Sequence, residues 1–244
     1  NADAAEAILR REGSRLAAVI VEPVLGAGGV IPPLPGFLER LRAVTSELGI
    51  VLIFDEVISL RVAPGGAQER FGVTPDLTTM GKIIGGGLPV SAFGGRADVM
   101  AVFESGRPGA VAQGGTYNGN PLGMAAGLAA MEALTPEEYA RLDRLGETLR
   151  RGLQATFDRH DMAAQVTGVA SLFKVHLVSH PVVDYRSGFG DERTLRAFFF
   201  GMLNEGILLA GRGMGAISTP MGEAEIETFL TAADRVVAGI SASA

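Results

Sequence analysis

The apolar positions along the chain fall into two textures. In the first, short β-branched and aliphatic runs are punctuated by glycine and proline: "LAAVIVEPV" from Leu16 to Val24 and "IVLIFDEV" from Ile50 to Val57. Continuous runs of this kind suit strands covered on both faces of a parallel sheet. Between them, "PGFLERLRAVTSELG" sets Phe37, Leu38, Leu41, Val44 and Leu48 at helical spacing, after a Pro-Gly start and ahead of Gly49. That pattern predicts an amphipathic helix with a glycine stop. Residues 16 to 57 thus make a β-α-β unit, expected to cross over right-handedly into a parallel sheet. "PDLTTMGK" and "SAFGGR" read as two more short strands, and "GNPLGMAAGLAAMEAL" as a small-residue helix that packs closely on its neighbours. The sheet layer ends near Leu134.

The second texture starts at Thr135. "TPEEYARLDRLGETLRRGLQATFDRH" is a long charged amphipathic helix with a threonine cap, a proline at its first position and an early glutamate pair. "AQVTGVASLFKVHLV" follows as two short strands around a turn. Then come "DERTLRAFFFGMLNEG", a helix closed by glycine, the apolar segment "ILLA", and "EAEIETFLTAADRVVAGI", a final helix. The expected organisation is an α/β domain with a mostly parallel sheet over residues 1–134, then a linker helix and a smaller α+β domain over residues 135–244.

Composition narrows the function classes. A net charge of −6 across 244 residues, with scattered arginines, argues against nucleic acid as a partner. No apolar run reaches roughly 18 residues, the length that a membrane helix needs, and no cationic apolar leader opens the chain, so a soluble, cytoplasmic protein is expected. There is no cysteine, which excludes thiol catalysis and thiolate metal sites, and His160, His176 and His180 lack the i, i+4 pairing common in metal sites, so no metal is expected.

Three stretches carry candidate chemistry. The chain has only two lysines, Lys82 and Lys174, and otherwise meets its need for positive charge with arginine. Lys82 lies in "TTMGKIIGGGLP", among glycines and aliphatics just past a strand. Partial desolvation there is expected to favour a neutral amine able to form a Schiff base, which a guanidinium does not do. Asp55 ends an apolar strand, where a carboxylate calls for a cationic partner such as a protonated pyridine nitrogen. In "GGTYNGNP", glycines, the Thr116 hydroxyl and a following helix can hold a phosphate, although glycine-rich turns before helices are common. "GKIIGGG" carries its glycines after the lysine, opposite in order to a P-loop.

Taken in order, "VEPV", "GGVIPPLPGFLERLR", "VLIFDEV", "RVAPGGAQERFGVTPDLTTMGKIIGGGLPVSAFGGR" and "GGTYNGNPLGMAAG" resemble class III, fold-type I, pyridoxal-phosphate-dependent aminotransferases, with the Asp55-to-Lys82 spacing of that family. The branch most similar holds glutamate-1-semialdehyde aminomutases and β-amino-acid aminotransferases, and the likeness runs from Asn1 almost to the end. It implies pyridoxal 5′-phosphate as cofactor, with residues 1–134 as the C-terminal part of the cofactor-binding large domain. Lys82 would be the lysine that condenses with the cofactor's aldehyde and carries the proton shift. Asp55 would hold the pyridinium proton, Val57 would pack on one ring face, and Glu22 would support the pocket. Thr116 would bind the phosphate of the cofactor in the partner subunit, which makes a homodimer part of the site.

The resemblance also has gaps. Family members run to something over four hundred residues, so the portion ahead of "VIVEP" that bears the phosphate cradle and stacking aromatic is expected to be missing, and this polypeptide alone to be inactive. "DEVISLRVAPGG" is one residue short of the family pattern and lacks its threonine-glycine pair, and Ile58 stands where some relatives place a glutamine. "LLAGRGMGAISTP" has an Arg-Gly pair like the β-amino-acid aminotransferases, and a bidentate arginine suits a substrate carboxylate, so Arg212 is the candidate for substrate recognition, set against an ordinary solvated loop arginine. The expected activity moves an amino group between an amino acid, β-amino acids included, and a 2-oxo acid. A glutamate-1-semialdehyde aminomutase and a non-catalytic scaffold fragment are the alternatives.

Overall fold

The computed structural model describes residues 1–242. The chain divides into two compact units, Asn1–Pro23 with Pro33–Thr135, and Val24–Pro32 with Pro136–Ala244. Among the described residues no helix is long and apolar enough to cross a membrane.

The first unit starts with α1 (Ala2–Glu12), β1 (Ala18–Val21), α2 (Phe37–Leu48) and β2 (Val51–Asp55), and continues with a short α3 (Gly66–Phe71) and β3 (Leu77–Met80). After these come β4 (Ala92–Gly95), a single-turn α4 (Ala97–Met100) and α5 (Pro121–Glu132). The sheet has the order β1-β2-β3-β4. The first two pairings are parallel and the last is antiparallel, so the sheet is mostly parallel. Alternation along β2 buries Leu52 and Phe54 completely, and they pack with Leu38 of α2 and Val73. The other side of α2 presents Leu41 and Val44 to Leu9 of α1 and Ile50. Gly49 ends α2 in a left-handed conformation, φ 68°, as its position after the last periodic leucine predicts.

One expectation fails here. The run from Leu16 to Val24 is not one long strand covered on both faces. β1 spans four residues because Leu16 still belongs to the turn after α1 and Pro23 has no N–H to offer. It is also an edge strand, and Ile20 is 62% exposed. Ahead of it, α1 is anchored by Leu9 and by ion pairs from Arg10 to Glu6 and Glu47.

The second unit comprises α6 (Pro136–Arg159), β5 (Gln165–Val169), β6 (Leu172–His176), α7 (Glu192–Asn204), β7 (Met214–Ala216) and α8 (Glu223–Ser241). Its three strands form an antiparallel sheet in the order β5-β6-β7. A stripe of Leu142, Leu145, Leu149, Leu153 and Phe157 on α6 is buried, as are Ile226, Phe229, Ala233 and Val237 of α8. Gly146 sits within that stripe because a Cβ there would lie 1.8 Å from the Ala170 carbonyl oxygen. "ILLA" contributes only an isolated bridge, from Ala210 to Met214, and the third strand of this sheet is β7. The loop 24–32, which as sequence reads as a connection, belongs to this unit: Gly29 O accepts from the Thr167 hydroxyl at 2.8 Å and lies 2.9 Å from His176 Nε2.

Candidate active site

The candidate chemistry of the first unit gathers at the carboxyl ends of its parallel strands, where side chains leave the core of an α/β sheet. Asp55 is the last residue of β2 and is in register with Thr79 of β3. The Val57 N–H and the Thr79 hydroxyl both donate to Asp55 Oδ1, at 3.1 and 3.2 Å. Among the described residues, no donor reaches Oδ2 and no cation pairs with the carboxylate. Asp76, near the start of β3, is the opposite case: it is buried, accepts from Leu52 N at 2.7 Å, and pairs with Arg42 and Arg96, both at 3.0 Å. The partly buried Asp55 is therefore oriented by two neutral donors yet keeps a free oxygen for a positive group.

Lys82 follows β3 by two residues and opens a 3-10 turn, Lys82–Gly85. Its backbone is left-handed, φ 49°, a conformation that costs a non-glycine residue on the order of 1 kcal/mol or more and recurs at functional sites. The turn is pinned by α5. A Cβ at Gly127 would lie 2.1 Å from the Ile84 carbonyl oxygen, and one at Gly86 would lie 2.2 Å from that of Ala126. The glycines around Lys82 thus let a helix backbone press directly on the lysine-bearing turn. Lys82 is exposed, however, and its ammonium has no partner among the described residues. The expected desolvation is not provided by this chain: Lys82 is exposed, and the three glycines that follow Ile84 have no side chains to cover it.

Val57 is partly buried. With Thr79, Phe93, Tyr117 and Asn120 it lines a cavity of about 760 Å³, and Thr79 links that cavity to Asp55. Glu22 leaves β1 one residue beyond Val21, whose register partner is Phe54, so Glu22 and Asp55 emerge side by side. Thr116 is exposed in the loop before α5, its hydroxyl without a partner among the described residues. That loop closes with Asn118 N–H donating to Gly115 O at 3.0 Å, and Asn120 caps α5 by accepting from Gly123 N at 2.8 Å. Arg212 belongs to the second unit, on the turn between Ala210 and Met214, where it lines a cavity of about 290 Å³.

Sequence reasoning passes over Thr79 and Glu56. Thr79 orients Asp55, and its only sequence signal is its place opposite a strand-end acid. Glu56 is completely buried and accepts from Ala67 N at 2.5 Å, from Gln68 N at 3.2 Å and from the Ser59 hydroxyl at 3.2 Å. One side chain thereby ties the start of the loop after β2 to the first turn of α3.

The sequence pattern of the Aminotransferase class-III family matches residues 1–226. The chain belongs to that family. It is 42% identical to the β-phenylalanine transaminase of Variovorax paradoxus over 98% of its own length and 55% of the relative's. It is 45% identical to the glutamate-1-semialdehyde 2,1-aminomutase of Thermomicrobium roseum over 98% of this chain and 56% of that one. The crystal structure of an omega-transaminase from Sphaerobacter thermophilus superposes with a TM-score of 0.94 at 44% identity, covering 97% of this chain and 55% of the other. The chain spans about half the length of the curated relatives it matches.

Class-III aminotransferases depend on pyridoxal phosphate. The residues present suit that group, since Asp55 has an open carboxylate oxygen for a ring N–H⁺ and Lys82 a free primary amine for an aldehyde.

Proposed function

We propose that this chain is the catalytic portion of a pyridoxal-phosphate-dependent aminotransferase that moves an amino group between an amino acid, β-amino acids included, and a 2-oxo acid. The observation that carries this reading is the pairing, on adjacent strand ends of a class-III chain, of an acid without a counter-ion, Asp55, and an unpaired lysine in a strained backbone, Lys82. When bound, the cofactor supplies an electron-withdrawing ring that acidifies the C–H bond beside the substrate nitrogen. Lys82 Nζ takes that proton and returns it, a role for a primary amine and not for a guanidinium. Asp55, held by Thr79 and Val57 N–H, would hold a proton on the ring nitrogen, Val57 would contribute an apolar contact to the ring, and Glu22 would support the pocket. Arg212 binds the substrate carboxylate. Residues 1–134 serve as the cofactor-binding part and residues 135–244 as the linker helix and small domain.

Thr116 is read as binding the phosphate of the cofactor held by a partner subunit, which makes the working unit a homodimer. Its exposed, unengaged hydroxyl supports that role.

A second reading, an aminomutase that keeps donor and acceptor on one molecule, is favoured by the Thermomicrobium roseum relative. Incubating the full-length protein with glutamate-1-semialdehyde alone, and separately with an amine donor plus a 2-oxo acid, separates the two. Product in the single-substrate arm would replace the first reading by the second. Borohydride reduction of the cofactor-loaded full-length protein, followed by peptide mass spectrometry, should place the cofactor on Lys82. An adduct on Lys174 would overturn both.

A further inference from the structure

Glu56 is completely buried, yet among the described residues no cation pairs with it. What it meets instead are donors. Oε2 accepts from Ala67 N at 2.5 Å and from the Ser59 hydroxyl at 3.2 Å, while Oε1 accepts from Gln68 N at 3.2 Å and from Gln68 Nε2 at 3.3 Å. Bonds of this kind are charge-assisted and gain strength in a low-dielectric interior, so together they fix the side chain firmly. The fit against α3 is close: Gly66 is left-handed, φ 77°, and a Cβ there would lie 2.5 Å from Glu56 Oε2.

Glu56 also stands between the two residues at the end of β2 that face the cofactor's place. Asp55 precedes it, and Val57 follows it with an N–H that donates to Asp55 Oδ1 at 3.1 Å. The peptide joining Glu56 to Val57 therefore carries one of the two donors that orient Asp55. The other donor, the Thr79 hydroxyl, belongs to the residue whose carbonyl oxygen accepts from Glu56 N at 2.9 Å. The Gln68 amide adds a third tie. Its Nε2 lies 3.3 Å from both Glu56 Oε1 and Thr78 Oγ1, which bridges the end of β2 to β3 one residue ahead of Thr79.

We propose that Glu56 is a positioning residue for Asp55: anchored on α3, it holds the Val57 N–H and Thr79 against one carboxylate oxygen of Asp55, which leaves the other open to the cofactor's ring nitrogen. This role rests on the aminotransferase reading, in which Asp55 keeps that nitrogen protonated, and adds to it a requirement for a carboxylate at position 56. The amide isostere does not meet that requirement. Each oxygen of Glu56 faces a backbone N–H, so a glutamine in either orientation sets its own N–H against one of them. The Glu56–Val57 peptide is then free to turn, and Asp55 loses the orientation through which its charge favours the protonated ring.

Loading the full-length protein with pyridoxal phosphate ¹⁵N-labelled in the ring gives a readout independent of turnover, since the nitrogen's chemical shift reports its protonation. Glu56→Gln should lower the ring-nitrogen titration midpoint by about one unit, a tenfold loss of preference for the protonated ring. Gln68→Met keeps both backbone bonds to Glu56 and loses only the amide bridge, and should lower the midpoint by about half as much. Asp76→Asn, which loosens the sheet from its opposite end, should leave the midpoint where it is. A midpoint unmoved in Glu56→Gln, or moved as far in Asp76→Asn, would reduce Glu56 to a structural role and overturn the proposal. If Glu56→Gln fails to fold, Gln68→Met decides alone, and an unmoved midpoint there overturns it. A ring that stays protonated in Asp55→Asn would overturn the assignment of Asp55 itself, and the proposal with it, a pattern distinct from an effective Asp55→Asn beside a silent Glu56→Gln.

Discussion

Asp76 and Asp55 lie in one sheet and serve opposite ends. Asp76 is tied to Leu52 N, Arg42 and Arg96, whereas Asp55 has only the Thr79 hydroxyl and the Val57 N–H on one oxygen. Removing the charge from Asp76 strands Arg42 beside a buried site and weakens the anchor of Leu52 N, while Arg96 keeps Asp98, so Asp76→Asn should cost about 3 kcal/mol in urea unfolding. Asp55→Asn should stay within about 0.5 kcal/mol of the parent while reducing turnover of the full-length enzyme by at least a hundredfold. Equal destabilisation by both would make Asp55 structural. His176 supplies the pH dependence. Burial pushes its pKa below the usual 6.5, against the pull of the Gly188 and Gly29 carbonyls and with some repulsion from Lys174. The unfolded chain therefore takes up a proton more readily than the folded one. Stability is full above about pH 6.5 and falls as pH drops from there toward the lowered folded value. Thermal unfolding at pH 7.5 and pH 5 should show that loss, and His176→Gln should shrink it; an unchanged slope would rule out His176 as its source.

The turn that carries Lys82 is made by contact between segments about forty residues apart, and that distance sets what the sequence discloses. "GKIIGGG" is legible as a glycine-rich connection after a strand, and "GNPLGMAAGLAAMEAL" as a closely packing helix. That Gly127 must be glycine because the Ile84 carbonyl oxygen would lie 2.1 Å from a Cβ is visible only once the helix lies on the turn. Gly127→Ala should consequently displace the Lys82–Gly85 turn and destabilise by about 1–3 kcal/mol, with a larger proportional loss of turnover than of stability. Gly239→Ala is the control: it sits in α8 with nothing within 4 Å of a Cβ and should be neutral or stabilising by up to about 1 kcal/mol. Parity between the two would mean that the close approach is unimportant. The same logic explains β1. Its β-branched run reveals a strand, but whether a neighbour covers Ile20 is a fact about other segments, and no described residue does so.

Over the molecule as a whole, the order of motifs discloses the family and the mostly parallel sheet because the candidate site residues sit at or just past strand ends, where local pattern and chemistry coincide. The second unit is less legible: Lys174, His176 and the 24–32 loop acquire meaning only by their burial among distant elements. α5 carries a property that no single residue shows. It is apolar all round, yet only Gly123 and Gly127 are buried, while Leu122 is 77% and Leu128 61% exposed. A helix without a polar face belongs in an interior, and contiguous exposed apolar surface promotes association. The 244-residue polypeptide produced alone should accordingly bind an apolar fluorescent dye and self-associate at micromolar concentration. Leu122→Lys with Leu128→Lys should reduce both, since neither side chain contributes to the buried core of the first unit. Sedimentation and dye titration of parent and double variant decide the matter: a parent that stays monomeric and dye-free, or a double variant that binds as much dye as the parent, would show that this helix face is not what the surrounding water disfavours.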